Sequence, residues 1–449
     1  MATKNVLLDF KKFYLRDMRL LNNLGVYVPV EKSKYPKLFA FYCFMVFFFF
    51  MGLLNGAQYL YTFINAQSIR DFAGTGYVAN ICSMANVKSY YIFTQRKQVI
   101  KIFNDLNCQR FQPTTEKAKK LAQKGLDFYY KANVFLTAIS VVACTFSVTT
   151  PIFYPKNGGL PFATWYPFNV STTPIHQMVY LHQTISVYYD TLINVSGDLL
   201  VAGLSTFIGV QCDLLCYELV EGRSDSLVDY IKYHQEIVRL AQKSEQIFSR
   251  IYFFQFFATT TGLCMTLFLI TLVEPNTVEF LFLVIYLAAI FNLLLIPTLF
   301  SSELRRKSEN IPMAAYSYPW VDAPKSLKRD LIFFIHRTQT PIQFQVLGFF
   351  NLSLEVFLKM VRNYKRKTNR ADINAGDIKK AVWDEIKNKT AIRNAALTFN
   401  ISNTTLYRHV KKLRSQTQHF QIDDSANESL SEGDSPHMPK YVQKRTECT

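Results

Sequence analysis

Five ionisable residues, Lys88, Asp190, Asp198, Glu279 and Glu355, interrupt or border apolar stretches of this 449-residue chain. A charge inside hydrocarbon is costly, so such groups face a bundle interior or a wet cavity and are candidate ligand or ion sites. Catalytic patterns are missing: there is no HExxH, GxSxG or Walker loop. Gly74-Thr75-Gly76 lacks the third glycine and the strand–turn–helix context of a dinucleotide site. Cys43, Cys82, Cys144 and Cys264 sit in apolar blocks, where a thiol acts as a small hydrophobe. Cys212 and Cys216 share helical spacing but have no histidine cluster to complete a metal site. The expectation is a protein that is not an enzyme, with no cofactor, metal or disulfide framework.

The elements that hold these residues are hydrophobic spans. From Leu38 to Ile69 there is no Asp, Glu, Lys or Arg, and a helix crossing a hydrocarbon layer about 30 Å thick needs only about 20 apolar residues. Windows of that length place seven spans at 39–64, 72–94, 132–154, 178–201, 251–273, 278–301 and 341–359. The fourth stays apolar and periodic to Tyr217 and so projects beyond the bilayer. The first begins too late, and runs too long, for a cleaved signal peptide, and is expected to remain in the mature chain.

The net charge of +17 lies mostly in loops and beyond residue 360. The N-terminal segment and loops 95–131, 218–250 and 302–340 are basic, whereas 65–71, 155–177 and 274–277 carry almost no cations. Because cytoplasmic loops retain Lys and Arg, the N-terminus is intracellular. Asn169-Val170-Ser171 then falls in an outer loop, making Asn169 a glycosylation candidate.

A small volatile ligand needs a mostly apolar cavity with a few polar groups to orient it. The outer halves of the spans carry stripes at helical spacing: Met178, Leu181, Ile185 and Tyr188 on the fourth, Phe146 and Thr149 on the third. Tyr77 of the second and Tyr286 of the sixth complete the candidate ligand-binding set. Most of the 39 Phe and 26 Tyr face lipid or pack helices.

The chain resembles the insect odorant receptors, a seven-span family with an intracellular N-terminus. The likeness rests on His234-Gln235-Glu236-Ile237-Val238 through Phe254-Gln255, on Ser302-Glu303 through Ser308, and on Ala315-Tyr316 and Pro319-Trp320. It continues through Arg329-Asp330-Leu331, Arg337-Thr338-Gln339-Thr340-Pro341 and Gly348-Phe349-Phe350-Asn351-Leu352-Ser353-Leu354. The resemblance implies a ligand-gated cation channel subunit in the plasma membrane of olfactory sensory neurons. It also implies partnership with a co-receptor subunit, with the odorant in the outer part of the bundle and the last helices lining the pore. A transporter is the weaker alternative, since repeated halves and interrupted helices are not evident.

After Lys359 the sequence departs from that family. The apolar end of the final helix is replaced by Met360-Val361-Arg362-Asn363-Tyr364-Lys365-Arg366-Lys367, too cationic for hydrocarbon. Helices are expected over 375–388, from Thr390 to about Thr398, and from Ser402 or Asn403 to Leu413. With Ile392-Arg393-Asn394-Ala395-Ala396 and Ser402-Asn403-Thr404-Thr405-Leu406-Tyr407-Arg408, this segment resembles a pipsqueak-type helix-turn-helix module. In such a module Thr404, Thr405, Tyr407, Arg408 and Lys411 face DNA. The expected organisation is all-α: a seven-helix transmembrane bundle over 1–359, a three-helix module over 360–415 and a disordered tail over 416–449. A DNA-binding protein is the alternative to a receptor, and a chimaeric gene joining the two is the third possibility.

Overall fold

The computed structural model describes residues 8–26, 35–155, 157–221, 226–361, 380–383 and 391–399, with Leu406, Tyr407 and Val410. The chain forms two compact units, Met1–Arg362 and Asn363–Thr449.

The first unit is helical. Helix α1 spans Leu15–Asn23 and α2 spans Pro36–Asn65, with a π-helical stretch over Val46–Gly52. Then come α3 (Ile69–Thr94), α4 (Arg96–Asp105), α5 (Glu116–Phe153), α6 (Thr173–Glu221), α7 (Leu227–Ile270) and α8 (Val278–Ser308). Two shorter helices follow, α9 (Ile311–Tyr316) and α10 (Lys325–Thr338). Among the described residues, five helical stretches are long and apolar enough to cross a membrane: Pro36–Asn65, Glu116–Phe153, Thr173–Glu221, Leu227–Ile270 and Val278–Tyr316.

The second expected span, α3, has the length to cross but is more polar. Its Lys88 and Ser89 are buried among neighbouring helices rather than facing lipid, so a hydropathy window undervalues it.

The seventh expected span, 341–359, is corrected by the structure. Strands β1 (Gln345–Val346) and β2 (Phe350–Asn351) form a tight hairpin there, and helix α11 follows over Leu354–Val361. Leu347 and Gly348 turn the hairpin with φ of 50° and 74°. Ser249 of α7 holds it: its hydroxyl donates to the Gln345 carbonyl at 3.0 Å and accepts from the Leu347 N–H at 2.6 Å. Apolar content over a window carries no period, so a hairpin and a span read alike.

Helix α6 is central. Of its most apolar 18-residue stretch 83% is buried, against 22% in α2, α5 and α8, whose outer faces are left for lipid. At 49 residues and about 1.5 Å per residue, α6 outruns a hydrocarbon layer about twofold. Around its C-terminal half, α1, α4, α9 and α10 pack into one core that includes Phe10, Tyr14, Phe103, Phe207, Ile237 and Leu304. Gly203 permits the closest approach: a Cβ there would stand 2.6 Å from the Tyr14 ring and 2.8 Å from the Tyr129 hydroxyl. Tyr14 donates to the Gly203 carbonyl at 3.0 Å, and Tyr129 donates to the Leu199 carbonyl at 2.9 Å and to Asp17 at 3.0 Å. Burial pushes the Asp17 carboxyl up to about 6, against the lowering effect of its Asn133 and Tyr129 hydrogen bonds.

In the second unit, Ala381, Val382, Ala395, Ala396, Leu406 and Val410 form a buried apolar cluster, with helix α12 over Ile392–Thr398. Tyr407 is exposed. Thr404, Thr405, Arg408 and Lys411 lie outside the described residues.

Candidate ligand-binding site

A cavity of about 820 Å³ opens at the end of the bundle opposite the buried core. It forms where the C-termini of α2, α5 and α7 meet the N-termini of α3 and α8, and local sequence fixes each end. Ser68 caps α3 by accepting from the Asp71 N–H at 3.2 Å, and Thr277 caps α8 by accepting from the Phe280 N–H at 3.2 Å. Asn276 makes the turn before α8 with φ 69°. Pro151, inside α5, cannot donate to the preceding turn and stands in the cavity wall.

Tyr77, Leu283, Leu269 and Phe162 supply apolar surface. Thr75, Ser147 and Thr150 add neutral polar groups, and Arg70, Asp71 and Glu279 bring charge. The loop carrying Phe162 is drawn in by Gln183 of α6, whose Oε1 accepts from the Phe162 N–H at 2.9 Å. The same amide donates to Thr164 Oγ1 at 2.7 Å. The arrangement suits a small, largely apolar molecule with one hydrogen-bonding group.

Of the residues picked from the sequence, Tyr77 lines this cavity. Tyr286 packs edge-on against it, ring centroids 4.8 Å apart, and donates to the Tyr77 carbonyl at 3.2 Å. Phe146 and Thr149 do not line it; their neighbours Ser147 and Thr150 do, one residue and about 100° around the helix. Tyr188 bridges α6 to α5 through a 2.7 Å hydroxyl contact with Thr145. Ile185 is half-buried and away from the lining. Met178 and Leu181, 72% and 59% exposed, face outward. An apolar stripe at helical spacing serves lipid as well as it serves a cavity, so periodicity misassigned these two. Phe162, Tyr154 and Phe282 line the cavity without having been picked; for the first, the apolar and aromatic content of its loop, with Leu160, Trp165 and Phe168, was the available signal.

The ionisable residues separate by role. Lys88 and Asp198, both buried, pair at 2.8 Å between α3 and α6. Lys88 also donates to the Asn194 carbonyl at 3.0 Å, and Gln255 of α7 links Asp198 at 3.2 Å to the Leu293 carbonyl of α8 at 2.7 Å. Glu279 lies at the cavity, and Glu355 is exposed on α11. Among the described residues no group of three or more His, Cys, Asp or Glu is placed to hold a metal.

The family model described as 7tm Odorant receptor matches residues 68–364. The chain belongs to the odorant receptor family. Odorant receptor 46a, isoform A, of Drosophila melanogaster is 21% identical over 347 residues, 75% of this chain and 91% of that one. Odorant receptor 10 of Aedes albopictus is 24% identical over 236 residues, 50% of this chain and 62% of that one. The solved structure of the olfactory receptor OR5 of Machilis hrabei superposes with a TM-score of 0.68 at 17% identity, covering 79% of this chain and 96% of that one. Its complex with eugenol gives 0.70 at 18%, covering 78% and 95%. This odorant receptor therefore has that fold and is a multi-pass membrane protein; the matched region stops within a few residues of the sequence departure near 360.

Proposed function

We propose that this odorant receptor is a ligand-gated cation channel subunit that binds a small apolar volatile in the cavity at the end of α2, α3, α5, α7 and α8. The observation that carries the reading is that cavity: about 820 Å³, with apolar and aromatic walls, a few neutral polar groups, and Arg70, Asp71 and Glu279 also in its lining. The related OR5 of Machilis hrabei has been solved with eugenol, a molecule of the size and character such a site accepts. The subunit acts without a catalytic step, in the plasma membrane of olfactory sensory neurons, with its N-terminus inside and a co-receptor subunit completing the channel. Asn169, exposed in the loop before α6, is then outside and glycosylated; loss of a glycosidase-sensitive mobility shift in Asn169→Gln checks the orientation.

The test is odour-evoked current from the full chain co-expressed with a co-receptor, with Tyr77→Ala as the variant and surface expression as the control. Tyr77→Ala is expected to weaken responses about tenfold or more, the loss of one well-packed aromatic contact. Unchanged responses to every ligand at equal surface expression would remove the cavity from the reading.

A second reading concerns residues 360–415, as a helix-turn-helix module followed by a tail over 416–449. It is supported by the apolar cluster that Ala381, Val382, Ala395, Ala396, Leu406 and Val410 build from three short segments. We infer a receptor joined to a DNA-binding module of the pipsqueak type, with Thr404, Thr405, Tyr407, Arg408 and Lys411 toward DNA. With an intracellular N-terminus, that module would lie outside the cell, away from genomic DNA, only where the helix that begins at Leu354 completes a seventh crossing. The join is therefore expected to be scarce or absent in spliced messages read across residues 340–380; abundant spliced messages carrying it would establish a real fusion.

A further inference from the structure

At the basic end of the bundle, a second cavity, of about 720 Å³, lies between α1, α5 and α6. Lys12, Arg16 and Arg19 line it from α1 and the turn before it, Tyr130 and Thr137 from α5, and Leu192 from α6. The three cations recur at intervals of four and three residues, which gathers them on one face of the N-terminal segment. Asp17, the carboxylate among them in sequence, points elsewhere: it is buried and accepts from Tyr129 at 3.0 Å and from Asn133. Among the described residues, the lining holds no carboxylate, and none of the three cations forms a salt bridge. Arg16 Nη1 is buried with no hydrogen-bond partner. Lys12 and Arg19 are exposed.

Cations in a cytoplasmic segment follow from topology alone. A guanidinium with a buried, unpaired nitrogen lining a cavity does not, and a bound anion offsets its desolvation. The depth of the cavity selects the kind of anion. Thr137 and Leu192 belong to the apolar spans 132–154 and 178–201, whereas all three cations precede the first span. Lys131, next to Tyr130, marks where α5 enters hydrocarbon. The cavity therefore straddles the boundary between headgroups and acyl chains, with Leu15 and Tyr130 of its lining 37% and 44% exposed. With the N-terminus inside, that boundary belongs to the cytoplasmic leaflet, whose anionic lipids attract Lys and Arg. Three cations without a counter-charge call for more than one negative charge, and guanidinium forks match phosphate oxygens. We propose that Lys12, Arg16 and Arg19 bind the headgroup of a phospholipid that carries more than one negative charge, with its acyl end against Leu15, Tyr130 and Leu192. A headgroup held there ties α1 to α5 and α6. The site goes beyond the channel reading, and its test uses neither odorant nor co-receptor, so either can fail alone.

The full chain in neutral detergent is unfolded by heat at constant ionic strength, followed by tryptophan fluorescence, while dioctanoyl phosphatidylinositol bisphosphate, dioctanoyl phosphatidylcholine or free inositol trisphosphate is titrated in. The bisphosphate lipid is expected to raise Tm saturably over phosphatidylcholine, as mass action requires of a ligand that binds only the native state. Arg19→Gln is expected to increase the half-saturating concentration about fivefold, and Lys12→Gln together with Arg19→Gln about twenty-fivefold. Arg16→Gln is expected to increase it about tenfold, as loss of a charge-assisted hydrogen bond does. Lys124→Gln, which removes an exposed cation of α5 outside the lining, is expected to leave it unchanged. Equal Tm with the bisphosphate lipid and phosphatidylcholine would overturn the proposal. Equal weakening by Lys124→Gln and Arg19→Gln would overturn it too, leaving only diffuse attraction to a basic surface. A rise with inositol trisphosphate as large as with the lipid would overturn the lipid assignment and give the cavity to a soluble phosphate. If Arg16→Gln does not fold, a half-saturating concentration unmoved by the paired Lys12 and Arg19 changes decides against the site.

Discussion

Around the C-terminal half of α6, four short helices and the ends of α5, α7 and α8 bury Phe10, Tyr14, Phe103 and Phe207. At the other end, Ala73, Tyr77, Leu269 and Leu283 make only a small cluster beside an 820 Å³ cavity. The first region has elements on every side of the central helix, close-packed to the point where Gly203 cannot bear a methyl group. The second is an arrangement of helix ends and one loop, where five termini converge without filling the space between them. Packing density is thus divided along the bundle axis: stability resides at the basic end, and room for a ligand at the other.

Variants can break that comparison. The largest effect is expected midway, from Lys88→Met, which strands Asp198 as a lone buried charge. The loss should be about 3–5 kcal/mol, read as loss of folded protein at the surface, and the paired change Lys88→Met with Asp198→Leu should recover most of it. Next, Gly203→Ala should cost about 1–3 kcal/mol through overpacking against Tyr14 and Tyr129, with odorant preference unchanged in whatever protein still folds. A shift in preference without a loss of stability would show that the two ends are not separate.

Asp17 gives a pH-dependent version of the same test. Its folded-state value, about 6, exceeds its ordinary 3.8, so the protonated form favours docking of α1. That contribution is full below about pH 4 and is lost as pH rises through 6, a swing on the order of 2 kcal/mol. Amide-exchange protection of α1 should therefore be higher at pH 5 than at 7.5, and Asp17→Asn should remove the difference. The smallest expected effect is Phe282→Ala at the cavity: about 1 kcal/mol, or fivefold, in sensitivity to the bulkiest ligands, with no change in Tm. A Tm drop as large as that of Gly203→Ala would refute the loose end.

The legible part of the fold follows the same division. Charge-free runs such as Leu38–Ile69 and the long periodic fourth span identified membrane helices directly, because lipid demands uninterrupted apolar length. Placing side chains around those helices was harder. On α6, Met178 and Leu181 share their spacing with cavity and lipid faces alike, and on α5 a shift of one residue separates Thr149 from the lining Thr150. The hairpin over 345–351 was hidden because hydropathy averages over it. Phe162 depends on a loop folding inward onto Gln183, a contact between residues 21 apart that no local pattern encodes.

The π-helical stretch of α2 has a consequence for how this protein tolerates change. Val46–Gly52 contains the run Phe47-Phe48-Phe49-Phe50, and Leu53 donates to the Phe48 carbonyl five residues back. A π-bulge amounts to an α-helix carrying a surplus residue. The buried positions on either side of the four phenylalanines, Cys43 and Val46 before them and Met51, Leu54 and Gln58 after them, stay aligned only because that surplus is absorbed within the run. Deleting one of the four should let the segment relax to an ordinary α-helix with both flanks still in register, making the least distinctive stretch of this helix its reading-frame buffer.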